Sequence, residues 1–310
     1  MSGRELIVLG TASQVPTRDR AHHGALLRFD GHGVLLDPGE GTQRQLSLAG
    51  VPSSAINRIC ITHAHGDHCL GLPGVLQRLA LDDVTHPVRI HHPPHATPYL
   101  DALQRGIAGE RTANVHLLPA EPGVVSTDPP LEVHARALSH VIETLGWRFT
   151  QPAGRRLLPE RLDALGIAWE ARSELTEHGA ISHRGHRVTL EEVSEPRRPV
   201  AIAHVMDTRV CDDAYELAAD VDLLLIESTF LDSEVDLAEQ AGHLTAGQAA
   251  RIGAEAGARR VVLTHFSRRY PDNAAFAREA RRAAPGLDIH VARDLDLIPL
   301  TGAVSRLAPA

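Results

Sequence analysis

The 310-residue chain contains no lysine; all 31 basic residues are arginine. Any phosphate contact must therefore use a planar, two-pronged guanidinium rather than a compact ammonium. Cysteine is nearly missing too. Cys60, Cys69 and Cys211 stand at unrelated spacings, which argues against a disulfide framework and suits a reducing, cytoplasmic setting. No run of about 18 apolar residues occurs, which excludes a transmembrane helix and leaves no membrane partner to expect. The first residues, with charges close on both sides of a short apolar run, read as a strand rather than a secretory signal. A net charge of −8 argues against a coat of basic patches for nucleic acid, though not against a local one. Short-period repeats and low-complexity tracts are absent as well.

What is present looks globular: 43% apolar and 23% charged residues, in a length that suits one large domain or two small ones. Short apolar runs predict strands at Leu6–Gly10, Ala25–Phe29, Val34–Leu36, Arg58–Thr62, Val88–His91, Val133–Leu138, Leu145–Phe149, Val200–Val205, Leu223–Ile226, Val261–Thr264 and Ile289–Ala292. Helical periodicity follows at about 41–48, 72–81, 95–106, 212–219, 245–256 and 273–282. This mixture predicts layered α/β architecture, with sheets packed together and helices outside. Residues 151–199 differ. They run from Gln151-Pro152-Ala153-Gly154 to Arg198-Pro199, hold few long apolar runs, and balance eight Arg against eight Asp and Glu. They read as an inserted, protruding arm of a single domain spanning 1–310.

Histidine is the conspicuous excess, with 20 in 310 residues. Four potential ligands fall within His63-Ala64-His65-Gly66-Asp67-His68, directly after a predicted strand. In extended chain His63 and His65 point to one side and can grip one ion. Gly66 permits a sharp turn that would aim Asp67 and His68 at a second point. Imidazole with carboxylate suits zinc, with manganese or iron as alternatives. From this composition the pattern should arise by chance about 0.005 times in such a chain, so it is a strong signal. His140, Asp207 and His265 each follow a predicted strand, where buried chain opens into a loop. Together these seven donors are enough for two ions if one carboxylate bridges.

The blocks Leu9-Gly10-Thr11, Asp37 to Gln43, His63 to His68 with Gly71-Leu72-Pro73-Gly74, Ser139-His140, Leu145-Gly146-Trp147, Asp207-Thr208-Arg209, Glu227 to Phe230 and Thr264 to Ser267 with Arg269-Tyr270 carry a resemblance. The chain resembles the metallo-β-lactamase superfamily and, within it, the ribonuclease Z family, endonucleases that trim the 3′ trailer of precursor tRNA. The resemblance runs nearly end to end. It implies a four-layer αβ/βα sandwich and two zinc ions, or manganese. His63, His65 and His140 would hold one ion and Asp67, His68 and His265 the other, with Asp207 bridging. It further implies a cytoplasmic homodimer acting on precursor tRNA, in which Asp67 orients water and His243, oriented by Glu227, protonates the leaving oxygen. Arg18, Arg20 and Arg269 would meet substrate phosphates. Met206 and Ile226 replace the family's usual Gly and His, Ala21 its usual Asn, and the arm lacks the basic Gly-Pro signature of many bacterial members. The neutral arm and net acidity suit an alternative, a hydrolase of a small phosphodiester, sulfate ester or lactone. A non-catalytic metal-bearing or RNA-binding protein is disfavoured by the intact ligand set. His22, His23, His91, His92, His95, His178, His183 and His186 read as surface residues.

Overall fold

A computed structural model describes residues 3–107 and 113–307; the ends of the 1–310 span lie outside the described residues. The chain divides into two compact units, Met1–Phe149 with Ala201–Ala310, and Thr150–Val200.

The larger unit holds two mixed sheets. The first contains β1 (Arg4–Gly10), β2 (Gly24–Phe29), β3 (His32–Leu36), β4 (Ile56–Cys60), β5 (Val88–His92) and β6 (Val115–Pro119). The second begins with β7 (Gly123–Ser126), β8 (Glu132–Leu138) and β9 (Thr144–Gln151). In the smaller unit β10 (Gly154–Leu157) pairs with β13 (Ser194–Arg197), and β11 (Ala180–His183) with β12 (His186–Thr189). The second sheet resumes with β14 (Val200–Val205), β15 (Leu223–Glu227), β16 (Arg260–Thr264) and β17 (Asp288–Val291); β18 (Asp296–Pro299) and β19 (Ser305–Arg306) complete the first. The sheet orders are β19-β18-β1-β2-β3-β4-β5-β6 and β17-β16-β15-β14-β9-β8-β7.

Every predicted strand and helix is present, with ends shifted by a residue or two. Side-chain alternation explains the layering. On β4 Ile56 and Ile59, and on β1 Ile7 and Leu9, pack with helices Leu72–Leu81 and Thr97–Arg105. On β15 Leu224 and Ile226, and on β16 Val261 and Leu263, pack with helices Asp212–Ala218, Ala246–Glu255 and Ala274–Ala283. The alternate residues, among them Leu6, Val8, Ile202, Leu223, Leu225 and Val262, are equally buried. Each sheet therefore has helices on one face and the other sheet on its opposite face, the four layers of a metallo-β-lactamase sandwich. That is why β15 reads as the unbroken apolar run Leu-Leu-Leu-Ile. Among the described residues no helix is long and apolar enough to cross a membrane.

Residues 150–200 are more organised than their composition suggested. Two helices, Pro159–Leu165 and Trp169–His178, the β11–β12 hairpin and the β10–β13 pair enclose a small core of Leu162, Ile167, Leu175, Ile181, Val188 and Val193. Burial pushes the Cys60 thiol up to about 12 and the Cys69 thiol up to about 11, and neither ionises near neutral pH. Ellman's reagent at pH 8 should accordingly find at most one reactive thiol, Cys211, in the native protein and three after denaturation; two or more native thiols would contradict the packing.

Candidate metal centre

Several parallel strands end at one rim, where ligands of open α/β sheets commonly bind. The His63–His68 segment follows β4, Asp207 follows β14, Glu227 is the last residue of β15, and His265 follows β16. His140 comes two residues after β8. These loops bring seven donors into one cluster. His63, His65, His140 and Asp207 present ligand atoms mutually within 4.8 Å, as do Asp67, His68 and His265.

Asp207 faces both groups. Its Oδ2 lies 3.5 Å from His63 Nε2 and 3.7 Å from His140 Nε2, whereas Oδ1 lies 3.4 Å from His68 Nε2 and 3.3 Å from His265 Nε2. Within the groups, His63 Nε2 is 2.9 Å from His65 Nδ1 and His68 Nε2 is 3.1 Å from His265 Nε2. Asp67 Oδ2 sits 3.4 Å from His265 Nε2 and accepts the Gln14 amide at 2.7 Å.

Two observations fit a pair of cations. Asp207 Oδ1 is buried with no hydrogen-bond partner, a costly state for a carboxylate oxygen that a cation would relieve. In His63, His68, His140 and His265 the ring nitrogen pointing away from the cluster meets another group. His68 Nδ1 donates to Asp37 Oδ2 at 2.9 Å and His140 Nδ1 to the Gly242 carbonyl at 2.8 Å; His63 Nδ1 meets Thr62 Oγ1 at 3.0 Å and His265 Nδ1 meets Thr229 Oγ1 at 2.9 Å. Such outer partners fix the ring and turn the other nitrogen to a metal.

Protonation follows from the same packing. Burial lowers the pKa values of His63, His65 and His140, which leaves their lone pairs available. Burial opposes ionisation of Asp67 and Asp207, but the surrounding imidazoles outweigh it, led by His68 and His265 respectively, and both are lowered. His68 is raised instead, because Asp207, Asp67 and Asp37 overcome its burial.

Backbone chemistry sets this geometry. Asp37, Asp207 and His265 all take positive φ, at 43°, 44° and 62°, a region disfavoured for side-chain-bearing residues and concentrated at functional sites. Gly242, at φ 79°, ends helix Val235–Ala241; a Cβ there would come within 2.7 Å of His140 Nδ1. Gly66, in contrast, opens a one-turn helix, Gly66–Cys69, without a positive φ.

His243 lies beside the cluster, just before the Thr245 cap of the next helix. There the Thr245 hydroxyl accepts the Gln248 amide while the Gln248 side chain accepts the Thr245 amide. His243 Nδ1 lies 3.0 Å from Glu227 Oε1. Burial lowers its pKa, but Glu227 and then Asp207 raise it to about 9. Glu227 is held in turn by the Thr208 amide at 2.9 Å and the Thr229 hydroxyl at 2.6 Å.

The three expected phosphate contacts separate. Arg18 is exposed. Arg269 is exposed too, with NH1 3.6 Å from Glu234 Oε1. Arg20 is only 9% exposed, donates to Asn273 Oδ1 at 2.6 Å, and lies over the Phe266 ring.

Three histidines expected at the surface are buried: His23, His91 and His92. His91 sits at the end of β5 and accepts from Arg58 NH1 at 2.6 Å; burial first and Arg58 next lower its pKa to about 3. His23 Nε2 lies 3.2 Å from His204 Nε2, near Asp37. Both of their Nδ1 atoms lack partners, so this group misses the outer support that every imidazole turning Nε2 into the main cluster has. Sequence reasoning gave no role to Asp37, which accepts from Thr62 N at 2.7 Å and Thr62 Oγ1 at 2.8 Å as well as from His68. Its signal was available: a carboxylate closing a buried strand needs partners.

The metallo-β-lactamase superfamily model matches residues 18–153 and a β-lactamase superfamily domain model matches 185–266. The chain is 52% identical over 302 residues to a protein of Nocardia farcinica named ribonuclease Z, and 51% identical over 301 residues to one of Streptomyces coelicolor. In both cases 97% of this chain and 99% of the relative are covered. Among solved structures, the short form of human tRNase Z matches with TM-score 0.66 and 24% identity, covering 96% of this chain and all of the other.

Replacing Asp37 by Ala should leave His68 unsupported and weaken metal binding about 10–100-fold, measured by competition with a chromogenic chelator. Unchanged affinity would show that His68 holds its orientation without it.

Proposed function

This chain belongs to the ribonuclease Z family of the metallo-β-lactamase superfamily, and we propose on that premise that it removes the 3′ trailer of precursor tRNA with two divalent ions. The single observation that carries the site assignment is Asp207, whose two oxygens face two separate sets of donors. His63, His65 and His140 would hold one ion, Asp67, His68 and His265 the other, and Asp207 would bridge. Imidazole and carboxylate donors in this ratio favour zinc, and manganese also suits them. Bound there, two such ions supply a nucleophile at neutral pH and neutralise charge on the phosphate.

The chain's own groups do the rest. Asp67, anchored by the Gln14 amide, is positioned to orient water as well as a metal. Glu227 fixes Nδ1 of His243, which leaves Nε2 to give its proton to the leaving 3′ oxygen. Exposed Arg18 and Arg269, the latter beside Glu234, can reach backbone phosphates, while Arg20 holds the loop that presents Arg18. The reading includes a cytoplasmic homodimer; three free cysteines suit a reducing compartment.

Incubated with zinc or manganese, end-labelled precursor tRNA should be cut once near the 3′ end of its acceptor stem, and Asp67→Ala should abolish the cut. Hydrolysis of bis(p-nitrophenyl) phosphate without tRNA cleavage would overturn the substrate assignment while leaving the metal site. His243→Ala should slow RNA cleavage roughly 10²–10⁴-fold. The same variant should affect bis(p-nitrophenyl) phosphate far less, because nitrophenolate departs without a proton. Equal losses on both substrates would refute the general-acid role.

A further inference from the structure

Behind the Arg20 loop lies a cavity of about 920 Å³ that includes none of the metal-centre donors. It falls in the size range of small-ligand sites. Its floor is apolar: Ala274 and Ala277 from one helical stripe, and Ile289 and Val291 from β17. Three guanidinium groups, Arg281, Arg293 and Arg306, line it from exposed positions.

Asp19, Asp272, Asp294 and Asp296 match Arg20, Arg281, Arg293 and Arg306 in number, but the two sets differ in how their groups are engaged. Three of the wall carboxylates already accept hydrogen bonds from the protein. Asp294 takes the Thr11 hydroxyl at 2.7 Å and the Ala21 amide at 2.6 Å, Asp296 takes His290 Nε2 and the Arg293 amide, and Asp272 takes the Ala274 amide. Burial pushes the Asp294 carboxyl up to about 6, and it stays largely ionised at neutrality. The guanidinium groups of Arg281 and Arg293, however, make no hydrogen bond or ion pair with any described residue. An apolar floor under unpaired guanidinium groups is the chemistry of a nucleotide subsite: the floor takes base or sugar, and the rim takes phosphate.

The cavity is tied to the catalytic cluster through one loop. Thr11 and Arg20 line it, and Gln14, between them in sequence, holds Asp67. We propose that this cavity is a second, non-catalytic subsite that binds a nucleotide of the RNA substrate through Arg281 and Arg293. The proposal rests on the nuclease reading above.

The test uses the full chain loaded with zinc and the double variant Arg281→Ala/Arg293→Ala, with precursor tRNAs carrying a one-nucleotide or a long 3′ trailer. Expected is a several-fold higher KM with unchanged kcat. The slope of log KM against log salt should fall by about one for each guanidinium removed. Bis(p-nitrophenyl) phosphate hydrolysis and the melting temperature should not change. A defect confined to the long trailer would identify the occupant as the trailer; a defect with both would place the body of the tRNA there. If wild-type protein cuts RNA and the variant shows the same KM and salt slope, the subsite does not exist. Binding of free AMP that depends on these arginines, with RNA kinetics unchanged, would overturn the RNA assignment in favour of a free nucleotide. Failure of the wild type to cut RNA would strike the nuclease reading instead.

Discussion

One carboxylate organises the structure around it. Asp207 is buried where chain leaving β14 turns through a left-handed conformation, and its oxygens diverge towards two sets of imidazoles. Isolated in that setting a carboxylate would be expelled or protonated. Here it stays ionised because His265, His68, His243 and His63 surround it. The ends of β4 and β16 bring His63, His68 and His265 to it, His243 comes from the loop after helix Val235–Ala241, and the parallel registers of β14, β15 and β16 hold the strand ends in place.

Around the donors runs a ring of neutral or anionic acceptors and hydroxyls: Asp37, Thr62, Thr229, Glu227 and the Gly242 carbonyl. Thr229 joins two roles, since its hydroxyl donates to Glu227 and also meets His265. A disturbance at one side is therefore felt at the other, through hydrogen bonds a few ångströms long. The separation of Arg18 from Arg20 has the same origin: one guanidinium is spent on fixing a loop, and its neighbour stays in solvent.

Most of the frame was legible because both sheets are buried on both faces, and buried strands write themselves as apolar runs. The strands that escaped are short or lack such runs, and they include β6 and β7, Val-His-Leu-Leu-Pro and Gly-Val-Val-Ser. β18 is Asp-Leu-Ile-Pro, β19 has two residues, and β10 to β13 are four-residue strands rich in Arg, His and Glu. The seven donors were legible from spacing and strand ends. Asp37 and the His23–His204 pair were not, because their surroundings come from chain far away in sequence. His204 lies inside β14 and His23 just before β2, and only the packing of one sheet on the other brings them together. Met206, where the family usually has Gly, is fully buried beside the bridging residue and leaves the donor geometry intact.

The division of the proposed ligands between the two sheets bears on how the molecule is assembled. His63, His65, Asp67 and His68 follow β4 of the first sheet, whereas Asp207 and His265 follow strands of the second. A chain emerging from the ribosome therefore displays half a coordination sphere long before the other half exists. On the proposed assignment, secure cation uptake would wait until the halves dock, and each ion would then act as a rivet across the seam. Metal occupancy would then double as a record that folding was finished.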